Sequence, residues 1–159
     1  MTINKLGILI PHMGRSQFSF QLTRELNLSV INNHALDICV FVENIVQIPF
    51  QQYFPIMSMY YAYNYKGPLV ATSLTTAKKL INLPLRNQKF FYIWDLEWTQ
   101  IKDKKYMELA EIYKNEDVNL LARSETHARL IEKAWDRDVL GIVPDFRIKE
   151  LTETINGTK

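Results

Sequence analysis

The chain has 159 residues. At roughly 100–200 residues per domain this is one domain, long enough to bury a core without metal or disulfide staples. Apolar residues make up 47% and charged residues 23%, a globular balance that excludes disorder, coiled coil and collagen. The 19 basic and 17 acidic residues leave a net +2, too balanced for electrostatics alone to imply nucleic-acid binding.

A single cysteine, Cys39, rules out a disulfide framework and a cysteine-based zinc site. No run of about 18 apolar residues is present, so no membrane span is expected. The opening Met1-Thr2-Ile3-Asn4-Lys5 lacks the basic-then-apolar layout of a signal peptide. The expectation is a soluble, cytoplasmic protein.

In chain order, six short apolar runs read as strands: Leu6–Ile10, Ile38–Val42, Leu69–Ala71, Phe90–Trp94, Val118–Ala122 and Val139–Val143. They are nearly continuously apolar rather than alternating, as strands covered on both faces of a parallel sheet require. Helix-period segments lie between them. Phe18, Leu22 and Leu26 recur every fourth residue. Gln51–Tyr65, rich in Tyr and Met, reads as a short helix that packs on and covers the core. Ala77, Leu80 and Ile81 share a face before Pro84 stops the segment. Tyr106, Leu109, Ala110 and Tyr113 form a full helical stripe, and Ala128, Ile131, Ala134 and Trp135 another. Ile148, Leu151 and Ile155 form the last, with Gly157 as a stop signal. This alternation predicts an α/β fold: a three-layer α/β/α sandwich, Rossmann-like, around a mainly parallel sheet of about six strands. The strand order is left open.

In such a sheet, ligands bind beyond the carboxyl ends of the strands. After the first strand come His12, Gly14, Arg15 and Ser16. Gly14 permits a tight turn, a helix start offers free N–H groups to an anion, and Arg15 adds charge for a phosphate. Equally, this is an ordinary turn with Ser16 as helix cap. Neither the GxGxxG nor the GxxxxGK[ST] pattern is present. After the third strand, Thr72-Ser73-Leu74-Thr75-Thr76 holds four hydroxyls, with Ser73 suited to capping and Thr72 or Thr76 left for a ligand.

Trp94-Asp95-Leu96-Glu97-Trp98 follows the fourth strand. Carboxylates two residues apart in extended chain point the same way, and mutual repulsion raises one pKa, which suits acid–base work. Asp95 and Glu97 are therefore the candidate catalytic residues, and the indoles are candidates for stacking on a sugar or base. Ser124 after the fifth strand is a helix cap that can also meet a ligand, and His127 lies one turn further. His12, His34 and His127 lack metal-site spacing, so no metal is expected. An exposed aromatic face around Tyr60 would mark a dimer or partner interface.

Four stretches together resemble the N-terminal half of GT-B-fold glycosyltransferases. Leu6–Gly14 resembles the opening strand and glycine turn, and Leu69–Ala77 the ATSxxTA segment. Phe91–Glu97 resembles a strand-end segment in which Trp94 stands where the family usually has glutamine. Leu121–Glu125 with Val139–Val143 resembles the end of that half-domain. The resemblance implies an acceptor-binding half that works with a nucleotide sugar. A separate donor-binding domain or a second copy would complete it, and no metal or other cofactor would be needed. His12, Gly14, Arg15, Ser16, Thr72, Thr76, Asp95 and Ser124 would line the ligand edge. Two other functions are open: a non-catalytic module binding a nucleotide, sugar or protein, and an accessory to nucleic-acid modification.

Overall fold

The computed structural model describes residues 3–32, 35–84, 86–101 and 106–158. His34 lies outside them. The element order is β1 (Lys5–Ile10), α1 (Gln17–Asn32), β2 (Asp37–Val42), β3 (Ile56–Ser58), β4 (Leu69–Ala71), α2 (Leu74–Asn82), β5 (Lys89–Ile93), α3 (Tyr106–Tyr113), β6 (Val118–Ala122), α4 (Glu125–Trp135), β7 (Gly141–Ile142) and α5 (Ile148–Gly157). The strands form one sheet in the order β3-β2-β1-β4-β5-β6-β7. Every neighbouring pair is parallel. The expected Rossmann-like α/β sandwich is the architecture found, with seven strands among the described residues.

The near-continuous apolar runs have a direct reason. Side chains alternate faces along a strand, and both faces are covered. Leu6, Ile8 and Ile10 of β1, with Ile38, Val40 and Val42 of β2, pack with Leu22 and Leu26 of α1 and Leu151 and Ile155 of α5. Leu9, Cys39 and Phe41 point the other way, into a second core with Leu80 of α2, Ile112 of α3 and Ile131 of α4. Burial pushes the Cys39 thiol up to about 11, so it stays a protonated core residue.

Three expectations need correction. The segment Gln51–Tyr65 is not helix alone: it contains the edge strand β3, followed by a 3-10 turn at Met59–Asn64. Three residues, one of them the exposed Met57, are too short a run to register as a strand. The last strand is Gly141–Ile142 rather than Val139–Val143. β5 begins at Lys89 and ends at Ile93, one residue before Trp94. Lys89 resembles a strand boundary in sequence, yet it is only 6% exposed. Its ammonium donates to the carbonyls of Leu83 (2.8 Å) and Ile81 (3.2 Å), closing the C-terminal end of α2.

The link from β7 to α5 is fastened from inside the sheet. The Tyr92 hydroxyl of β5 donates to the Val143 carbonyl at 2.9 Å and accepts from the Phe146 N–H at 3.3 Å. Between them, Asp145 and Phe146 hold left-handed φ angles of 50° and 56°, costly for a bulky residue. Phe146 is held by an edge contact with the Tyr92 ring at 4.8 Å. Tyr92→Phe keeps the packing and strands two buried backbone groups. It is expected to lower the unfolding free energy by about 1–3 kcal/mol in urea denaturation. An unchanged midpoint would show that the hydroxyl does not hold this link.

Candidate functional site

Strand order creates the site. From β1 the chain moves through α1 to β2 on one face of the sheet, and from β4 through α2 to β5 on the other. The exits of β1 and β4 therefore part company, leaving a crevice at the switch point. That crevice has a volume of about 220 Å³. It is lined by Ile10 at the end of β1 and Pro11, His12, Ser16, Phe18 and Ser19 beyond it, by Thr72 and Ser73 after β4, and by Trp94, Asp95 and Glu97 after β5.

His12 is exposed, and its Nδ1 accepts the Gly14 N–H at 3.1 Å. Gly14 is not in a left-handed conformation. A Cβ there would lie 3.0 Å from His12 Nδ1, so a side chain at this position would press on the His12 ring, while no unusual φ calls for glycine. Ser16 accepts the Ser19 N–H at 3.0 Å and donates to the Ser19 hydroxyl at 2.8 Å. It caps α1, and its hydrogen-bonding capacity is largely used there. Arg15 is exposed and lies outside the crevice lining.

The hydroxyls after β4 serve the fold. Thr72 Oγ1 donates to the Leu9 carbonyl at 2.9 Å, tying the two diverging exits together. Thr76 is fully buried, and its hydroxyl accepts from the Thr72 and Ser73 N–H groups in a capping box with Ser73. Thr76 thus has no surface to offer a ligand. Thr72 lines the crevice with its hydroxyl already engaged.

Past β5 the chain is no longer extended, because Glu97 begins a 3-10 turn. Asp95 is exposed and Glu97 half-buried, yet both line the crevice. Burial raises the Glu97 carboxyl above its ordinary range; an N–H bond from Leu74 opposes this, and the Asp95 charge adds to it. The indoles are engaged elsewhere. Trp94 packs on Phe18 at 5.1 Å and carries the Arg123 guanidinium 4.7 Å over its ring. Trp98 is turned into the second core against Tyr113 and Trp135. Stacking of a sugar or base on these rings, expected from sequence, would have to displace that packing.

Ser124 caps α4 by accepting the His127 N–H at 3.2 Å and lies at the same edge, outside the crevice lining. His127 Nδ1 is buried without a partner, and burial lowers its pKa, with Arg123 acting the same way against the pull of Asp95. Among the described residues, no group of three or more His, Cys, Asp or Glu is placed to hold a metal ion. No described helix is long and apolar enough to cross a membrane. Tyr60, Tyr61 and Tyr63 are exposed beside the edge strand, as an interface around Tyr60 would require.

Sequence reasoning missed Phe18 and Ser19 as lining residues. Their signal was position: they fall in the first turn of the helix after β1, where side chains reach the switch-point crevice. No family model matches the chain, and neither a curated protein nor a solved structure does.

The raised Glu97 carboxyl has a testable consequence. The folded state binds that proton more tightly than the unfolded state does. Its stabilising share is therefore full below the ordinary carboxylate pKa and is lost as pH rises through the raised value. Glu97→Gln removes the loss. Measured by thermal melts, the variant is expected to gain on wild type as pH rises from the ordinary carboxylate range toward neutrality. A difference independent of pH would contradict the assignment.

Proposed function

We propose that the chain is the acceptor-side, Rossmann-like half of a glycosyl-transfer system. It would work with a nucleotide sugar held by a separate donor-binding domain or by a second copy. The observation that supports this best is the convergence of a half-buried carboxyl, Glu97, an exposed one, Asp95, and His12 on the switch-point crevice.

The chemistry follows from those positions. An acceptor hydroxyl entering the crevice meets Glu97, whose raised pKa brings it closer to the range where a carboxylate removes a proton effectively. The crevice is small, so it takes one end of an acceptor and leaves the reacting hydroxyl near the rim, facing whatever carries the donor. Rate enhancement in this scheme comes from orientation and from stabilising the leaving group on the donor side. The nucleic-acid reading is weaker, since Arg123 covers a face of Trp94 and Trp98 is packed inside.

The test is turnover. The tagged chain, recovered from its own cells with its bound partners, is incubated with labelled nucleotide sugars. Transfer or hydrolysis is expected, and Glu97→Gln is expected to reduce it by about 10²–10⁴-fold. Absence of turnover in the recovered complex would contradict the reading, and ligand-induced stabilisation without turnover would leave a binding module in its place.

A further inference from the structure

We propose, resting on the reading above, that the crevice accepts an uncharged polyol and rejects phosphorylated ligands, with His12 acting as a hydrogen-bond donor and Glu97 as the acceptor. Two independent observations carry this.

The first is the lining. It contains two carboxylate residues, Asp95 and Glu97, and no lysine or arginine. The Arg123 guanidinium is spent over the Trp94 ring and on the Trp94 carbonyl at 3.3 Å, and Arg15 lies outside the lining. Lys79 on α2 pairs instead with Glu43 at 3.2 Å. A phosphate placed between two carboxylates meets like charge at close range, and such repulsion is a source of specificity as real as an attractive contact. The helix start after β1, which sequence reasoning offered to a phosphate, has its cap position filled by Ser16.

The second is the orientation of His12. Nδ1 accepts the Gly14 N–H, which leaves Nε2 as the ring's N–H donor. Among the described residues nothing accepts from that N–H, and His12 lines the crevice. Serving as a base would require the proton to move to Nδ1 and the Gly14 bond to break. His12 therefore presents a donor where Glu97 presents an acceptor, and a hydroxyl group, donor and acceptor in one, is complementary to both. A site built this way discriminates strongly against ligands that leave its polar groups unpaired.

The experiment uses amide and imidazole NMR on the whole chain. Long-range nitrogen spectra are expected to show His12 in the Nε2–H form. The probes are a mixture of methyl glucoside, methyl galactoside and methyl mannoside, and separately inorganic phosphate. The glycosides are expected to shift the amides of Phe18 and of residues 94–97, and phosphate is not. His12→Gln keeps a donor near the Nε2 position, whereas His12→Asn keeps the acceptor for Gly14 near the Nδ1 position but is too short to place its amide N–H near Nε2. Binding is expected to survive in His12→Gln and to weaken about tenfold in His12→Asn, the effect of one ordinary hydrogen bond. His12 is exposed, so both variants are expected to keep the wild-type spectrum elsewhere. Loss in both variants would make His12 a proton acceptor, and loss in His12→Gln alone would make it a turn-holding residue; either overturns the donor assignment. Phosphate binding in place of glycosides overturns the ligand class while leaving the crevice a binding site. If neither probe shifts the crevice amides, the acceptor reading falls with the inference.

Discussion

The parting of β1 and β4 is the constraint on which the rest depends. Two adjacent parallel strands send their chains to opposite faces of the sheet, because right-handed crossovers on either side of them run in opposite directions. No helix can cover the gap between those exits. The hydrogen bond from Thr72 Oγ1 to the Leu9 carbonyl keeps them in register at that point. Everything polar that faces the crevice is carried there by one of three neighbouring strand ends.

The exits differ in what they do with their polar groups. The hydroxyls after β4 and the serines at the start of α1 are absorbed in caps and cross-ties, which hold the backbone of the rim still. The groups left facing the crevice are the carboxylates after β5 and the imidazole after β1. A rigid frame with few unspent groups is what a specific small-molecule site needs, since misplacement of the reacting groups is expensive. One nearby positive charge is held in the frame too, with Arg123 laid across Trp94.

Much of this was legible in the sequence, and what was not has physical reasons. Continuous apolar runs marked the covered strands because both faces of this sheet are buried, and five of the seven were placed to within a residue or so. β3 escaped because an edge strand of three residues needs no apolar run. The strand order was invisible because each local pattern is the same whichever neighbour a strand pairs with. Among site residues, His12, Asp95 and Glu97 were found by position after a strand. Thr76 and Thr72 were offered to a ligand because sequence does not say where a hydroxyl points, and both point into the frame. Gly14 was marked for its conformational freedom, whereas its φ is ordinary and what distinguishes it is the close approach of the His12 ring.

The central claim is that the chain segments leaving β1, β4 and β5 meet at one rim, and paramagnetic relaxation from a single label tests it without any assumption about ligands. A nitroxide on Ser16→Cys, in a chain whose buried Cys39 is replaced by serine, is expected to broaden the amides of Thr72, Ser73 and Asp95 strongly. The amides of Gly67, Gln88 and Asn119, at the opposite end of the sheet, are expected to stay sharp. Broadening at Gly67 and Gln88 with Thr72 and Asp95 untouched would mean a different strand arrangement, with no crevice where the site has been placed.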